Sequence, residues 1–179
     1  MHKFSEKREE ISNQILDKML YEMILKLEKH DYMMYPVFKV LYDHGFRVSE
    51  VLEAERWNLN EHGIFRITTE KKSLPRFLEL SQVEKRYRNE LTYNEYKGQL
   101  LNYSQVRRRF DCYFGATFFT QNNRRLITHL FRHNFVKKKY AEGLGVEKIA
   151  EIIGEVEVKN VMGYVQSKIY KETWHKLQF

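Results

Sequence analysis

The chain has 179 residues, 42% of them hydrophobic, with a formal net charge of +7 and a pI near 9.3. That length and apolar content suffice for one core and exclude a disordered tail, while the lone Cys112 excludes an internal disulfide or a CxxC metal site and suits a reducing compartment. No apolar run approaches the ~20 residues of a membrane span, and "MHKFSEKREE" lacks the apolar core of a signal peptide, so the expectation is a cytoplasmic protein with no membrane partner, its positive charge favouring a polyanion.

Residues 7 to 30 place Ile11, Ile15, Met19, Met23 and Leu27 at helical spacing, which predicts an amphipathic helix with one apolar stripe. Pro36 suits a first helical turn, and "VFKVLYDHG" runs to Gly45, a natural C-terminal stop. A short helix follows from Ser49. In "GIFRITTEKKSLPRFLEL" the period changes: Phe65, Ile67 and Thr69 alternate, "KKSLP" interrupts, and Phe77 and Leu78 resume, which predicts a β-hairpin. From Ser81 the pattern is helical again, over about 81 to 90, 103 to 115, 125 to 142, 146 to 153 and 157 to 163, with a tail helix near 167 to 177. The fold class is mainly α with a small antiparallel β-hairpin or sheet (α+β), in a single domain over 1–179: a helix and lead-in over 1–34, a core over 35–166 and a tail helix within 167–179.

Basic side chains gather at Lys71 and Lys72, Arg107 to Arg109, Arg124 and Arg125, and Lys137 to Lys139, with aromatic residues such as Tyr103, Phe110 and Phe118 between them. Any single cluster reads first as a solvated helix face over an aromatic core. Together they point to phosphate contacts, because each neutralised phosphate releases counterions and adds affinity. His129 and Arg132, three apart, share a helix face where a guanidinium fork and an imidazole could grip phosphate oxygens; alone, the pattern also describes a half-buried histidine beside a surface arginine. Arg47 follows Gly45 at a helix boundary, with Glu50 placed either to brace it or to form an ordinary helix-start ion pair. Tyr164, one of twelve tyrosines, is either packing or a nucleophile whose phenol needs cationic neighbours.

Taken together and in order, these segments resemble the catalytic domain of the tyrosine recombinases, the phage integrase family. "DHGFRVSEV" resembles the family's first box, T-G-x-R-x-S-E-L, through Gly45, Arg47, Ser49 and Glu50, and "ERWNLN" resembles the L-x-W-x-D-I that follows. "HLFRHNFV" resembles H-x-L-R-H-T-F-A through His129, Arg132 and His133; "AEGLGVEKIAEIIGE" and "VMGYV" follow, with nine positions from Glu155 to Tyr164, the family's usual interval between its last histidine and the tyrosine. The likeness spans about residues 35 to 170.

The resemblance implies a site-specific DNA recombinase that cleaves and rejoins double-stranded DNA through a 3′-phosphotyrosyl intermediate, with no cofactor, metal or small-molecule substrate. It assigns Arg47 and Arg132 to the scissile phosphate, His129 to supporting them or moving a proton, and Tyr164 to attack. A hairpin lysine, Lys71 with Lys72 as the alternative, would protonate the leaving 5′ oxygen. It also implies a tetramer on paired DNA sites, with the tail docked on a neighbouring protomer or on its own domain.

Two departures stand out. Glu155 occupies the position of a histidine or tryptophan that donates to the phosphate, whereas an ionised carboxylate only accepts. It either faces away, accepts the tyrosine's proton, or marks a catalytically impaired DNA-binding protein. The family's core-binding domain is absent, so the chain is either a piece of a longer protein or similar to the short, catalytic-domain-only invertases. A type IB topoisomerase-like nicking enzyme would share the same chemistry.

Overall fold

The computed structural model describes residues 3–5, 7–53, 57–67, 73–82, 84–86 and 101–176. Helix α1 (Asn13–His30) begins where Ser12 Oγ accepts from the Ile15 amide at 3.2 Å, and it buries Leu16, Leu20, Met23, Ile24 and Leu27. The buried stripe shares Met23 and Leu27 with the expected one, and Ile11 is buried just before the helix, but Ile15 is half exposed and Leu16, Leu20 and Ile24 face the core as well. Helix α2 (Tyr35–His44) has Pro36 in its first turn and ends at Gly45, whose φ of +63° is left-handed. Helix α3 (Val48–Leu52) follows at once, with Arg47 extended before it.

The expected hairpin is present as β4 (Phe65–Ile67) and β5 (Arg76–Leu78), paired antiparallel with Phe65 opposite Leu78. A third strand, β3 (Trp57–Leu59), adds to β4 on its other side. Residues 68–72, which include Lys71 and Lys72, lie outside the described residues, as does half of the helix expected over 81 to 90. Helix α4 (Tyr103–Phe114) opens with a capping box, in which Asn102 and Gln105 each accept from the other's backbone amide. Then β6 (Ala116–Thr120) and β7 (Arg125–Leu126) form a second antiparallel pair. Helices α5 (His129–Ala141), α6 (Val146–Ile153) and α7 (Val158–Gln166) complete the helical part.

Three stretches expected as helix hold strands, the shortest being β7, which occupies the start of the helix expected over 125 to 142, so that α5 begins only at His129. Residues 167 to 177 were expected to form a tail helix, but Ile169–Lys176 is strand β8, and part of the lead-in at 7 to 12 is strand β2 (Glu9–Ile11), preceded by β1 (Lys3–Ser5). In "IYKETWHK" the apolar residues satisfy helical spacing almost as well as alternation, so pairing decides: β6 runs antiparallel along one edge of β8, and β1 and β2 along the other. Trp174 Nε1 also donates to Thr117 Oγ1 at 2.8 Å. The tail is thus occupied by its own domain. The described residues form a mainly helical fold with two antiparallel sheets, as the fold class anticipates.

One core joins α1, α2, α4 and α5 through Leu20, Phe38, Leu41, Phe110 and Phe131; a smaller one holds α5, α6 and α7 together through Val136, Ile149, Ile153 and Val161. Among the described residues no helix is long and apolar enough to cross a membrane. Gly45 joins α2 to the segment carrying Arg47, and a Cβ there would lie 2.7 to 2.9 Å from Phe135 side-chain atoms. Gly45→Ala is expected to destabilise the domain by about 1–3 kcal/mol through overpacking and left-handed strain, read as a lower urea midpoint; an unchanged midpoint would mean that Phe135 yields freely.

Candidate active site

Arg47 sits at the start of α3, and Glu50, one turn on and wholly buried, accepts from its Nη1 at 3.3 Å. The other Glu50 oxygen accepts from Arg76 Nη1 at 3.4 Å, so one carboxylate serves two guanidiniums. Arg76, on β5 and wholly buried, donates from Nε to the Ile152 carbonyl at 2.8 Å and from Nη2 to the His44 carbonyl, with its guanidinium over the Phe46 ring. Burial lowers its pKa to about 10, Glu50 opposing, which leaves it charged at neutral pH.

Arg132 is brought in by the first turns of α5. It is fully buried and donates from Nη1 to the Gly45 carbonyl and from Nη2 to the Ile153 carbonyl, each at 3.1 Å. Both buried arginines therefore bind carbonyls at the C-terminal ends of α2 and α6, where unpaired backbone acceptors and the helix dipole favour a cation. Glu155 lies just past α6, after the left-handed Gly154. Its Oε1 accepts from Arg47 Nη2 at 2.7 Å and from Arg132 Nη2 at 3.2 Å, and its Oε2 accepts from Asn160 Nδ2 at 3.2 Å. Glu155 thus faces the arginines and is buried between them.

Tyr164 is on α7, and its hydroxyl lies 3.2 Å from His129 Nε2. Its ring meets the edge of His133 at a centroid distance of 4.8 Å, and the Arg132 guanidinium lies 5.8 Å from the ring centre. Ser167 Oγ donates to the Tyr164 carbonyl at 2.7 Å, so its lone pair is left to accept from His133 Nδ1 at 2.8 Å, which fixes a proton on that nitrogen. Lys137 Nζ donates to the carbonyls of Val165 and Ser167. His129, His133 and Lys137, four apart on α5, therefore form one stripe that holds α7 along the side that carries Tyr164.

The fold brings Arg47, Arg132 and Glu155 into one hydrogen-bonded group and His129 and Tyr164 into another, and the Arg132 guanidinium near the Tyr164 ring joins the two. Lys71 and Lys72 lie outside the described residues, and Ser73, next to them, accepts from Arg47 Nη1 at 3.3 Å, so the described end of that connection reaches the site. Sequence reasoning missed Arg76 and Asn160. It also took Lys137 as part of a surface cluster, whereas Lys137 is buried against α7 and Lys138 pairs with Asp17 at 3.2 Å. Asn160 could have been found from its spacing, four residues before Tyr164 and so on the same helix face. A cavity of about 280 Å³ opens beside Tyr164, lined in part by Arg124, Lys159, Asn160 and Ser167. Elsewhere, Asp43, His44 and Glu84 bring ligand atoms within 4.8 Å of one another, but Lys39 binds Asp43 at 2.7 Å and His44 Nε2 is 2.8 Å from Glu84. Those contacts already occupy the group's ligand atoms.

Burial, and then Arg132, Arg124 and Arg47, push the His129 pKa down to about 3; burial chiefly, and then His129 and Lys137, hold His133 well below its ordinary value. Both imidazoles are neutral at pH 7. Below the ordinary value of 6.5 the unfolded chain takes up protons that the folded chain refuses, so stability falls as pH drops from about 6.5 toward 3. Melting temperature measured from pH 7.5 to 5 should decline, more shallowly in His129→Gln, before carboxylates titrate; a flat wild-type profile would contradict neutral burial. Glu50→Ala strands the fully buried Arg76 and should cost about 3–5 kcal/mol in chemical denaturation. A loss under 1 kcal/mol would show that the helix-end carbonyls suffice.

The family model described as phage integrase family matches residues 8–170. No curated protein matches the chain in sequence. Among solved structures it is similar to XerA recombinase, with a TM-score of 0.57 and 16% identity over 87% of this chain and 57% of that one. It is also similar to XerH site-specific recombinase bound to palindromic difH substrate in a post-cleavage complex, with a TM-score of 0.57 and 21% identity over 87% of this chain and 48% of that one. The XerH pre-cleavage complex gives 0.55 and 21%, with 87% of this chain and 49% of that one covered. The chain thus spans about half the length of the recombinases it matches, and at these identities the likeness is one of fold.

Proposed function

The chain belongs to the phage integrase family, and from that premise we propose that it carries the strand-cleaving site of a tyrosine recombinase acting on double-stranded DNA. The observation that carries this reading is the convergence of Arg47 and Arg132 on one anion position, beside a Tyr164 hydroxyl held by His129. In the proposed reaction the Tyr164 oxygen attacks phosphorus, the bond from phosphorus to the 5′ oxygen breaks, and a 3′-phosphotyrosyl link forms. The phenolic proton passes to His129 or through it to solvent, and the leaving oxygen takes a proton from Lys71 or Lys72. The free 5′-hydroxyl of another strand then reverses the step, so bond energy is conserved without a nucleotide.

His129 fits this role better with substrate present. Its low pKa reflects burial and three cationic neighbours, and a phosphodiester anion between the arginines would offset their field and raise its basicity at the moment a base is needed. Two fixed guanidiniums would also stabilise charge on the five-coordinate phosphorus, the largest contribution expected at such a site. Assembly as a tetramer on paired sites remains part of the proposal on family grounds, without the tail as its link, since β8 is committed to its own sheet. A binding-only reading is favoured by a single observation, the glutamate seated between the arginines. A topoisomerase-like enzyme would relax supercoils without paired sites.

Covalent capture separates these readings. Incubated with fragmented DNA from its own source and then denatured, the wild-type chain should retain DNA through its 3′ ends, and Tyr164→Phe should retain only background. DNA protection with no adduct would leave the binding-only reading standing.

A further inference from the structure

The Glu155 carboxylate is bound as an incoming oxyanion would be. Arg47 and Arg132 donate to one oxygen at 2.7 and 3.2 Å, and Asn160 donates to the other at 3.2 Å. These donors come from three separate elements, the start of α3, α5 and α7, and they meet on a side chain from the short connection between α6 and α7. A carboxylate and a phosphodiester present the same chemistry to such donors: one negative charge shared over two oxygens.

Building on the reading of Arg47 and Arg132 as the phosphate grip, we propose that Glu155 is a displaceable internal occupant of the phosphate position and that Asn160 is the third donor of that position. The remaining contacts support displacement. Without Glu155, Arg47 still has Glu50 and Ser73 as acceptors, and Arg132 still has the Gly45 and Ile153 carbonyls. The donor set therefore stands on its own. An ionised carboxylate and a phosphodiester cannot share it, because two like charges at hydrogen-bond range repel strongly in a buried site. Glu155 is also positioned to leave: it follows the left-handed Gly154 and precedes the exposed Val156, and the cavity beside Asn160 is lined by the cations Arg124 and Lys159.

A tethered carboxylate competes at high effective concentration, so a lone phosphate loses to it while a phosphodiester held by further DNA contacts wins. Glu155 therefore acts as a threshold on substrate rather than as a lost catalytic group. Asn160 supplies the neutral donor that the family pattern places at position 155. It lies one turn before Tyr164 on α7, so the donor and the nucleophile move as one rigid unit.

The test uses inorganic phosphate as the probe, read by melting temperature and by 31P line broadening, on the wild-type chain, Glu155→Gln and the double variant Glu155→Gln with Asn160→Ala. Glu155→Gln should bind phosphate at least about tenfold more tightly than wild type, equivalent to 1.4 kcal/mol. Adding Asn160→Ala should return several-fold of that gain. Folded Glu155→Gln with wild-type phosphate affinity would overturn the displacement, and an Asn160→Ala change without effect would overturn the third donor. Glu155→His, read in the same way, decides the matter if the glutamine variant does not fold. Because no readout depends on cleavage, a gain in phosphate binding with no phosphotyrosyl adduct in any variant would sustain this inference while sinking the strand-transfer reading.

Discussion

The site depends on holding three guanidiniums close together inside a protein. Arg76 and Arg132 are fully buried and Arg47 is half-buried beside them, an arrangement whose mutual repulsion and desolvation would exclude it unless acceptors surrounded it. The acceptors come from two sources. Glu50 and Glu155 supply formal charge, and the last carbonyls of α2 and α6 supply partial charge where two helices end on the same cluster. The helices thus gain cationic caps and the arginines gain a fixed electrostatic setting, so the orientation of α2 and α6 and the geometry of the anion position are one constraint.

A second layer sets the position of Tyr164. The face of α5 that carries His129, His133 and Lys137 runs along α7, touching the Tyr164 hydroxyl, then its ring and carbonyl through Ser167, and finally the carbonyls at the helix end. Arg132 projects from the same helix into the arginine cluster. Helix α5 therefore spans both parts of the site, and the distance between the anion position and the phenol is governed by one rigid element. Its sequence is accordingly poor in helical amphipathicity, because residues on nearly every side are buried for one purpose or another.

Much of this was legible in the sequence where signals were local. The helix from Pro36 to Gly45, that over 146 to 153, the hairpin strands at Phe65 and Phe77, and the residues Arg47, His129, Arg132 and Tyr164 all follow from caps, spacing or motif order. The rest depended on partners distant in sequence. "IYKETWHK" is a strand because β6 and the N-terminal residues flank it, and nothing within those eight residues announces them. Arg76 reads as a surface residue of a short strand until two helix ends, Glu50 and Phe46 close around it. Glu155 was legible as an anomaly, but the direction of its side chain, the fact that gives it meaning, is set by a backbone turn at Gly154 and by Arg47, more than a hundred positions earlier, together with Arg132 and Asn160.

Strand β8 has a consequence for how the molecule is made. It pairs with β6 on one side and with residues 3–5 and 9–11 on the other, so segments separated by more than 150 positions meet on a strand that emerges from the ribosome after all of them. Helices α1 and α2, adjacent in sequence, can associate early, whereas the larger sheet closes only when its central member arrives, which gives the fold a late and non-local final step. Until then β1, β2 and β6 lack the strand they share. The nascent chain is in that interval a helical body with exposed strand edges, the state in which a chaperone would find its substrate.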